Sequence, residues 1–382
     1  MRINIVLGPF FPVPTVLGGA VEKAHLLLAP LYVAAGHQVA MISRRYGDFA
    51  ADEVVSGVRH RRVTSFDRSP SMALNLPKDL IYSLRVAAML PAADVTVTNS
   101  FFLPLVLPHR KAGKIYVQVG RYPKRQMGLY GRADRIQAVS HAVAEAIVEQ
   151  TPGAAKKVVT IGYAIPDIYF DGSGKSRRRK TIVFVGRLAR EKGLDLLLKA
   201  FARLQREASL PSLEEWTLRI VGPHETSQGG DGEEYLHELK TLAADIGPAC
   251  EFVGPVFNQQ SLAAEYHDAT VFVYPSRAET GEALPLAPLE AMGAGCAAVV
   301  SKLRCFDDYI ENGVSGLIFD HRSGQPEVEL AAALRRLIED PALAERIAAA
   351  GNRNAQNFSA QVIAEKMLDD FRAIVAGDQS TA

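Results

Sequence analysis

Short apolar runs alternate with helix-period segments along almost the whole chain. Residues 3–7 (Ile-Asn-Ile-Val-Leu) stop at Gly8 and Pro9, as a buried strand does. A loop with Gly18 and Gly19 follows, then apolar residues at helical spacing over residues 21–35, ended by Gly36. Residues 38–43 supply the next strand, which completes a βαβ unit. The pattern goes on with a helix over 80–90, strands at 94–98, 114–119 and 135–139, a helix over 141–149 capped by Ser140, and a strand at 158–161.

A break follows, marked by Pro166, Gly172, Gly174 and the basic run at residues 176–180. The alternation then restarts. Strands are expected at 181–186, 217–222, 250–253, 270–274 and 296–301, and helices at 194–207, 233–245, 286–292, 328–339, 343–358 and 360–375. Two successive doubly wound α/β units are the predicted architecture: residues 1–165 with about 361–382, and residues 166–360.

Composition changes this picture little. Hydrophobic residues at 48% and charged residues at 22% are those of a globular protein. Cys250, Cys296 and Cys305 show neither paired nor metal-ligand spacing and read as reduced thiols, so no metal site is expected. The N-terminus lacks the pattern of a signal peptide, and no run approaches the roughly 18 apolar residues that span a bilayer. Charge does add something. Residues 1–165 hold 20 Lys+Arg against 10 Asp+Glu, a net of +10 inside a chain whose total is +1. Such a half suits an anionic partner, either an acidic acceptor or a membrane surface touched peripherally. The expected location is cytoplasmic, on the inner face of the membrane if that contact is made.

Three loops carry candidate chemistry. Gly186-Arg187-Leu188-Ala189-Arg190-Glu191-Lys192-Gly193 leaves a strand and opens a helix, the place where wound sheets bind ligands. There Arg187 offers a planar fork and Lys192 a point charge for phosphate oxygens. The stretch from Glu282 to Gly293 also follows a strand, and free backbone N–H groups near Leu284 and Leu286 make an anion site. Glu282 in the loop and Glu290 about one turn up the helix suit a hydroxyl-rich ligand. The Gly18-Gly19 loop permits close backbone approach. Each loop by itself is better served by the plainer reading of a solvated surface turn.

Together these segments resemble the retaining glycosyltransferases of family four, which have the GT-B fold of two Rossmann-like domains facing across a cleft. The resemblance runs through Gly18-Gly19 with Glu22, Ala35-Gly36-His37, Ala138-Val139-Ser140, Val185-Gly186-Arg187 with Glu191-Lys192-Gly193, Tyr274-Pro275-Ser276, Leu289-Glu290-Ala291-Met292 and Asn312-Gly313. It implies transfer of a sugar from a nucleotide diphosphate, UDP- or GDP-linked, to a hydroxyl acceptor, with retained configuration and no cofactor or metal. The implied setting is cell-envelope polysaccharide, glycolipid or other glycoconjugate synthesis. By resemblance Glu282 holds donor-sugar hydroxyls and Glu290 the ribose. Arg187 and Lys192 then hold the diphosphate, Ala283, Leu284 and Leu286 offer amides, and the turn at Val253 borders the base. Glu279 competes with Glu282 for the first role, but its spacing to Glu290 does not match.

The resemblance also implies a last helix that returns to the first domain and a hinge near Pro166 and Phe358. One departure stands out. Many relatives carry a histidine just after the strand that here reads Ile115 to Gly120, whereas this chain has Gln118 and Arg121 nearby. A nucleotide-sugar-binding protein with little turnover is the alternative that this gap leaves open. His25 and His37 read as structural or surface residues.

Overall fold

The computed structural model describes residues 1–17, 19–172, 178–206 and 215–379. Two α/β units divide the chain: residues 1–164 with the segment from Ala360 onward, and Ile165–Ser359. In the first unit the strands are β1 (Arg2–Val6), β2 (Gln38–Arg44), β3 (Asp52–Val55), β4 (Val58–Val63), β5 (Val95–Thr98), β6 (Lys114–Val119), β7 (Arg135–Ala138) and β8 (Val158–Thr160). They pair in the order β3-β4-β2-β1-β5-β6-β7-β8, parallel except for the β3–β4 hairpin at one edge. The helices before the second unit are α1 (Ala20–Ala34), α2 (Met72–Met89), α3 (Leu103–Val106), α4 (His109–Ala112) and α5 (His141–Gln150).

The second unit contains β9 (Arg179–Val185), β10 (Thr217–Val221), β11 (Cys250–Gly254), β12 (Ala269–Tyr274), β13 (Ala297–Ser301) and β14 (Leu317–Phe319). Its order, β11-β10-β9-β12-β13-β14, is the doubly wound one, with the chain reversing direction across the sheet between β9 and β12. Helices α6 (Leu194–Arg206), α7 (Gly232–Ala243), α8 (Gln259–Asp268), α9 (Leu286–Gly293), α10 (Pro326–Glu339) and α11 (Pro341–Gln356) cover it. Its central strands are near-continuous apolar runs, such as Val271-Phe272-Val273 and Ala297-Ala298-Val299-Val300, because both faces are buried.

Helix α12 (Ala360–Gln379) belongs to the first unit. Phe371 meets the rings of Tyr32 on α1 and Tyr116 on β6 edge-on at 6.0 and 5.0 Å, and Arg135 pairs with Asp370 at 2.7 Å. Where α12 leaves the second unit, Ile165 N–H donates to Phe358 O at 2.8 Å.

Two wound parallel sheets are what the hydrophobic pattern predicts. It misses the β3–β4 hairpin, because Asp52, Glu53, Arg59, Arg61 and Arg62 bury no apolar stripe of the usual kind. It also misses α8 and β14 and starts α2 eight residues late. The expected helix end at Glu207 and the start of the basic run at residues 176–177 lie outside the described residues.

Two glycines set the loops at the carboxyl ends of the central strands. Gly193 has φ +67°, and a Cβ there would stand 2.1 Å from Pro275 O. Gly222 has φ +147°, and its Cβ would stand 1.8 Å from Gly186 O. Only glycine permits both the conformations and the contacts. Gly193→Ala is therefore expected to destabilise the second unit by at least about 2 kcal/mol in urea unfolding, against a few tenths for Gly324→Ala, whose φ is ordinary and where nothing lies within 4 Å.

Candidate functional site

The β9 and β12 loops meet at the point where the sheet's winding reverses. Lys192 ends the short turn after β9, and Glu282 lies in the loop after β12. Their side chains are each only 7% exposed, and Nζ stands 2.5 Å from Oε1. The same Glu282 oxygen accepts from the Tyr274 hydroxyl at 3.0 Å and from Ser276 Oγ at 2.8 Å. Burial and the neighbouring carboxylate both push the Tyr274 hydroxyl well above the usual tyrosine range, so it stays a donor. Lys192 also sits over the Tyr274 ring at 5.4 Å. Ion pair, ring and two hydroxyls thus lock one charged centre.

Arg187 completes a row of alternating charge. Its Nη2 donates to Glu191 Oε1 at 2.9 Å, its Nη1 donates to Gly229 O, and Glu191 lies 3.7 Å from Lys192. The backbone amide of Arg277 donates to Glu191 O at 2.8 Å, which ties the two loops a second time. Glu279 is turned away: His321 Nε2 stands 3.0 Å and Arg322 Nη1 3.1 Å from its Oε1. Of the two glutamates considered, Glu282 is therefore the one joined to Lys192.

Beyond Glu282 the chain turns into α9, whose N-cap is Pro285 with no side-chain cap, and Ala283 and Leu284 are buried. The first amides of such a helix look for an acceptor outside it. The helix begins at Leu286, which places Glu290 on its second turn. Tyr266 on α8 donates to Glu290 Oε2 at 3.0 Å. Burial first, and then the Glu290 carboxylate, raise the hydroxyls of both Tyr266 and Tyr169. Val253 lies half-buried on β11, whose end is tied to β10 by Gly222 N–H donating to Gly254 O at 2.9 Å.

A separate cluster lies in the first unit. Gly18 is outside the described residues. Gly19 is the N-cap of α1 at φ 107°, and a Cβ there would stand 2.2 Å from Glu22 Oε2, so the carboxyl folds back on the glycine. Burial pushes Glu22 up to about 7, against the lowering pull of its own backbone amide and of Arg121. The Tyr163 hydroxyl, whose pKa is raised by burial and by Glu22, packs against Gly120 and has no hydrogen-bond partner among the described residues.

Gln118, near the position where the resemblance led us to expect a histidine, is a core amide. It accepts from His25 Nε2 at 3.0 Å and donates to Gln137 at 2.9 Å. His25 is pulled down to about 4 by burial and is therefore a neutral structural histidine at physiological pH. Arg121 remains exposed beside this network. The sequence reading did not single out Tyr274, Ser276, Tyr266 or Tyr163 as site residues. Tyrosines that end buried strands carry no mark distinguishing a hydroxyl donor from core filling.

Comparison with known proteins follows the same division of the chain. Residues 167–354 match the family model of glycosyl transferases group 1. The chain is 27% identical over 64% of its length to D-inositol 3-phosphate glycosyltransferase 1 of Catenulispora acidiphila, covering 58% of that protein. It spans about half the length of the first such relatives, 58% in one and 41% in another. Among solved structures, sucrose-phosphate synthase from Thermosynechococcus elongatus matches with a TM-score of 0.76 at 21% identity, over 98% of this chain and 99% of that one. Anabaena Alr3699/HepE, in complex with UDP and glucose, matches with a TM-score of 0.71 at 16% identity, over 97% and 99%. At those identities the likeness is one of fold.

Two tests follow from the site's electrostatics. Lys192→Met strands a buried carboxylate and is expected to destabilise the second unit by about 3 kcal/mol, and adding Glu282→Gln recovers most of that loss. Additive losses in the double variant, measured by urea unfolding, would show that the pair is not coupled. Glu22 titrates higher folded than unfolded, so its protonated form favours folding and stability drops as pH rises from about 4.5 to about 7. Glu22→Gln should flatten that part of the first unit's stability profile by on the order of 3 kcal/mol. An unchanged slope would remove Glu22 as its source.

Proposed function

We propose that this chain, whose residues 167–354 match the family model of glycosyl transferases group 1, moves a sugar from a nucleoside-diphosphate donor to an acceptor hydroxyl, with retention at the anomeric carbon. The observation that carries this reading is the meeting of Arg187, Lys192, Glu282 and the uncapped start of α9 at the reversal point of the second sheet. A diphosphate needs cations and backbone amides, and a sugar needs a fixed carboxylate beside them. Both kinds of group stand together there.

In this reading Arg187 and Lys192 face the diphosphate oxygens, with the α9 amides near Ala283, Leu284 and Leu286 as further donors. Glu282 accepts from hydroxyls of the sugar, and Glu290 from those of the ribose. Val253 lies beside the base. Charge builds on the diphosphate as its bond to the anomeric carbon breaks, and cations already in place lower that barrier without reorganising. The acceptor oxygen bonds to the same face of the carbon, and its proton passes to the departing diphosphate, so no side chain need take it.

Lys192 is neutralised by Glu282, and Arg187 is bonded to Glu191, so donor binding exchanges carboxylate partners for phosphate ones. The HepE structure holds UDP, which makes a UDP-sugar the first donor to test. Envelope polysaccharide or glycolipid synthesis is the setting proposed for the acceptor.

A thermal-shift screen against UDP-, GDP- and ADP-sugars should find one donor series that raises the unfolding temperature. Arg187→Ala should weaken that donor by about tenfold to a hundredfold, and Glu290→Ala by a similar factor. Transfer to an acceptor panel, with product configuration read by NMR, tests retention. A donor that binds equally well to both variants would sink the assignment of the site, and an inverted product the mechanism.

A further inference from the structure

Helix α2 reverses the arrangement of an ordinary surface helix. Its inward side carries Asn75, Asp79, Tyr82 and Ser83 beside Val86. Asp79 is satisfied there, accepting from Ser100 Oγ at 3.0 Å and from Phe102 N–H at 2.9 Å. Its outward side carries Leu74, Pro77, Ile81, Leu84 and Ala88, three or four positions apart and so on one stripe. Leu74 is 57% exposed, Ile81 41% and Leu84 52%, and Met72 at the helix start is 62% exposed. A wound-sheet helix normally turns such residues inward, and a contiguous apolar stripe facing water marks a docking surface.

Charge selects the occupant. Between residues 68 and 90 the ionisable side chains are Arg68, Lys78, Asp79, Tyr82 and Arg85, and both Asp79 and Tyr82 are buried. The stripe is therefore edged by positive charge alone. Lys78 donates to Asp67 O at 2.9 Å and Arg85 to Thr64 O at 2.8 Å, which are carbonyls and neutralise neither. The nearby carboxylate of Asp67 is paired with Arg44 and also feels the charge of Lys78, which leaves Arg68 and Arg85 as the cations least offset by it. Two copies joined through this face would bring like charges together. An anionic lipid surface would take the stripe at its acyl boundary and meet the cations at its headgroups. No helix among the described residues is long and apolar enough to cross a membrane, so the contact is one of lying on a surface.

We propose that α2 is the helix by which this chain docks on an anionic lipid bilayer, with Leu74, Ile81 and Leu84 inserted and Arg68, Lys78 and Arg85 at the headgroups. The proposal is independent of the donor-site reading. Co-sedimentation with phosphatidylcholine vesicles, with and without roughly 30 mol% phosphatidylglycerol, reads it directly. Wild-type protein should bind the anionic vesicles, and the triple variant Leu74→Glu/Ile81→Glu/Leu84→Glu should bind at least about tenfold less with an unchanged circular dichroism spectrum.

Ile81→Trp supplies a second measurement if the triple variant fails to fold. Its emission should be quenched by brominated lipid, whereas that of the buried Trp216 should not. No binding by the wild type, equal binding by the triple variant, or no quenching at position 81 would each overturn the proposal. So would a wild-type dimer in sedimentation velocity that the triple variant abolishes while vesicle binding is absent, because a second copy would then cover the face.

Discussion

An ammonium and a carboxylate, both withdrawn from water, join the first and fourth strands of the second unit's sheet. Taking either charge out of solvent costs several kcal/mol, and only a close partner with further hydrogen bonds offsets it. Here the partner is 2.5 Å away, and Tyr274 and Ser276 complete the shell. Gly193 lets the β9 turn come down on Pro275, and the Arg277 amide holds the backbone of Glu191. The loops are thus set relative to one another before any ligand arrives. Backbone fixed this way has little ordering entropy left to lose, whatever partners its side chains exchange on binding.

The same pair bears on specificity. Glu282 has one oxygen occupied by three donors, so its remaining acceptor capacity points in a restricted direction. Glu290 is similarly held, by Tyr266. Under the donor reading proposed above, two carboxylates fixed in this manner discriminate by where hydroxyls stand more than by how many there are, since a misplaced hydroxyl would leave a desolvated acceptor unmet.

The two loops that meet at Lys192 and Glu282 were legible in the sequence because their chemistry is local. Arg187 and Lys192 follow one apolar run, Glu282 and Glu290 follow another, and the wound topology brings the ends of such runs together. Less legible was the company each residue keeps. Tyr274 and Phe272 read alike in a strand, yet only one has a hydroxyl that meets Glu282. Gln118 read as a neighbour of a reacting centre, whereas three dimensions place it in a chain of buried amides with His25 and Gln137. The β3–β4 hairpin was invisible because arginines such as Arg62, donating to Val13 O at 3.0 Å, do there what apolar side chains do elsewhere. Helix α2 read only as a helix over residues 80–90, since periodicity gives a stripe without saying which way it turns.

Helix α12 gives the first unit a particular order of assembly. Its Phe371 is what closes over Tyr32 and Tyr116, and it is encoded more than 250 residues after β6 begins. A chain growing from its N-terminus exposes those two rings throughout synthesis of the entire second unit. The later unit has all its strands in one continuous stretch and can close by itself, while the earlier one lacks its final helix until the whole of the later one has been made. First made is therefore last finished, and during that interval the uncovered aromatic surface is the part of the molecule most open to chaperones and to misassociation.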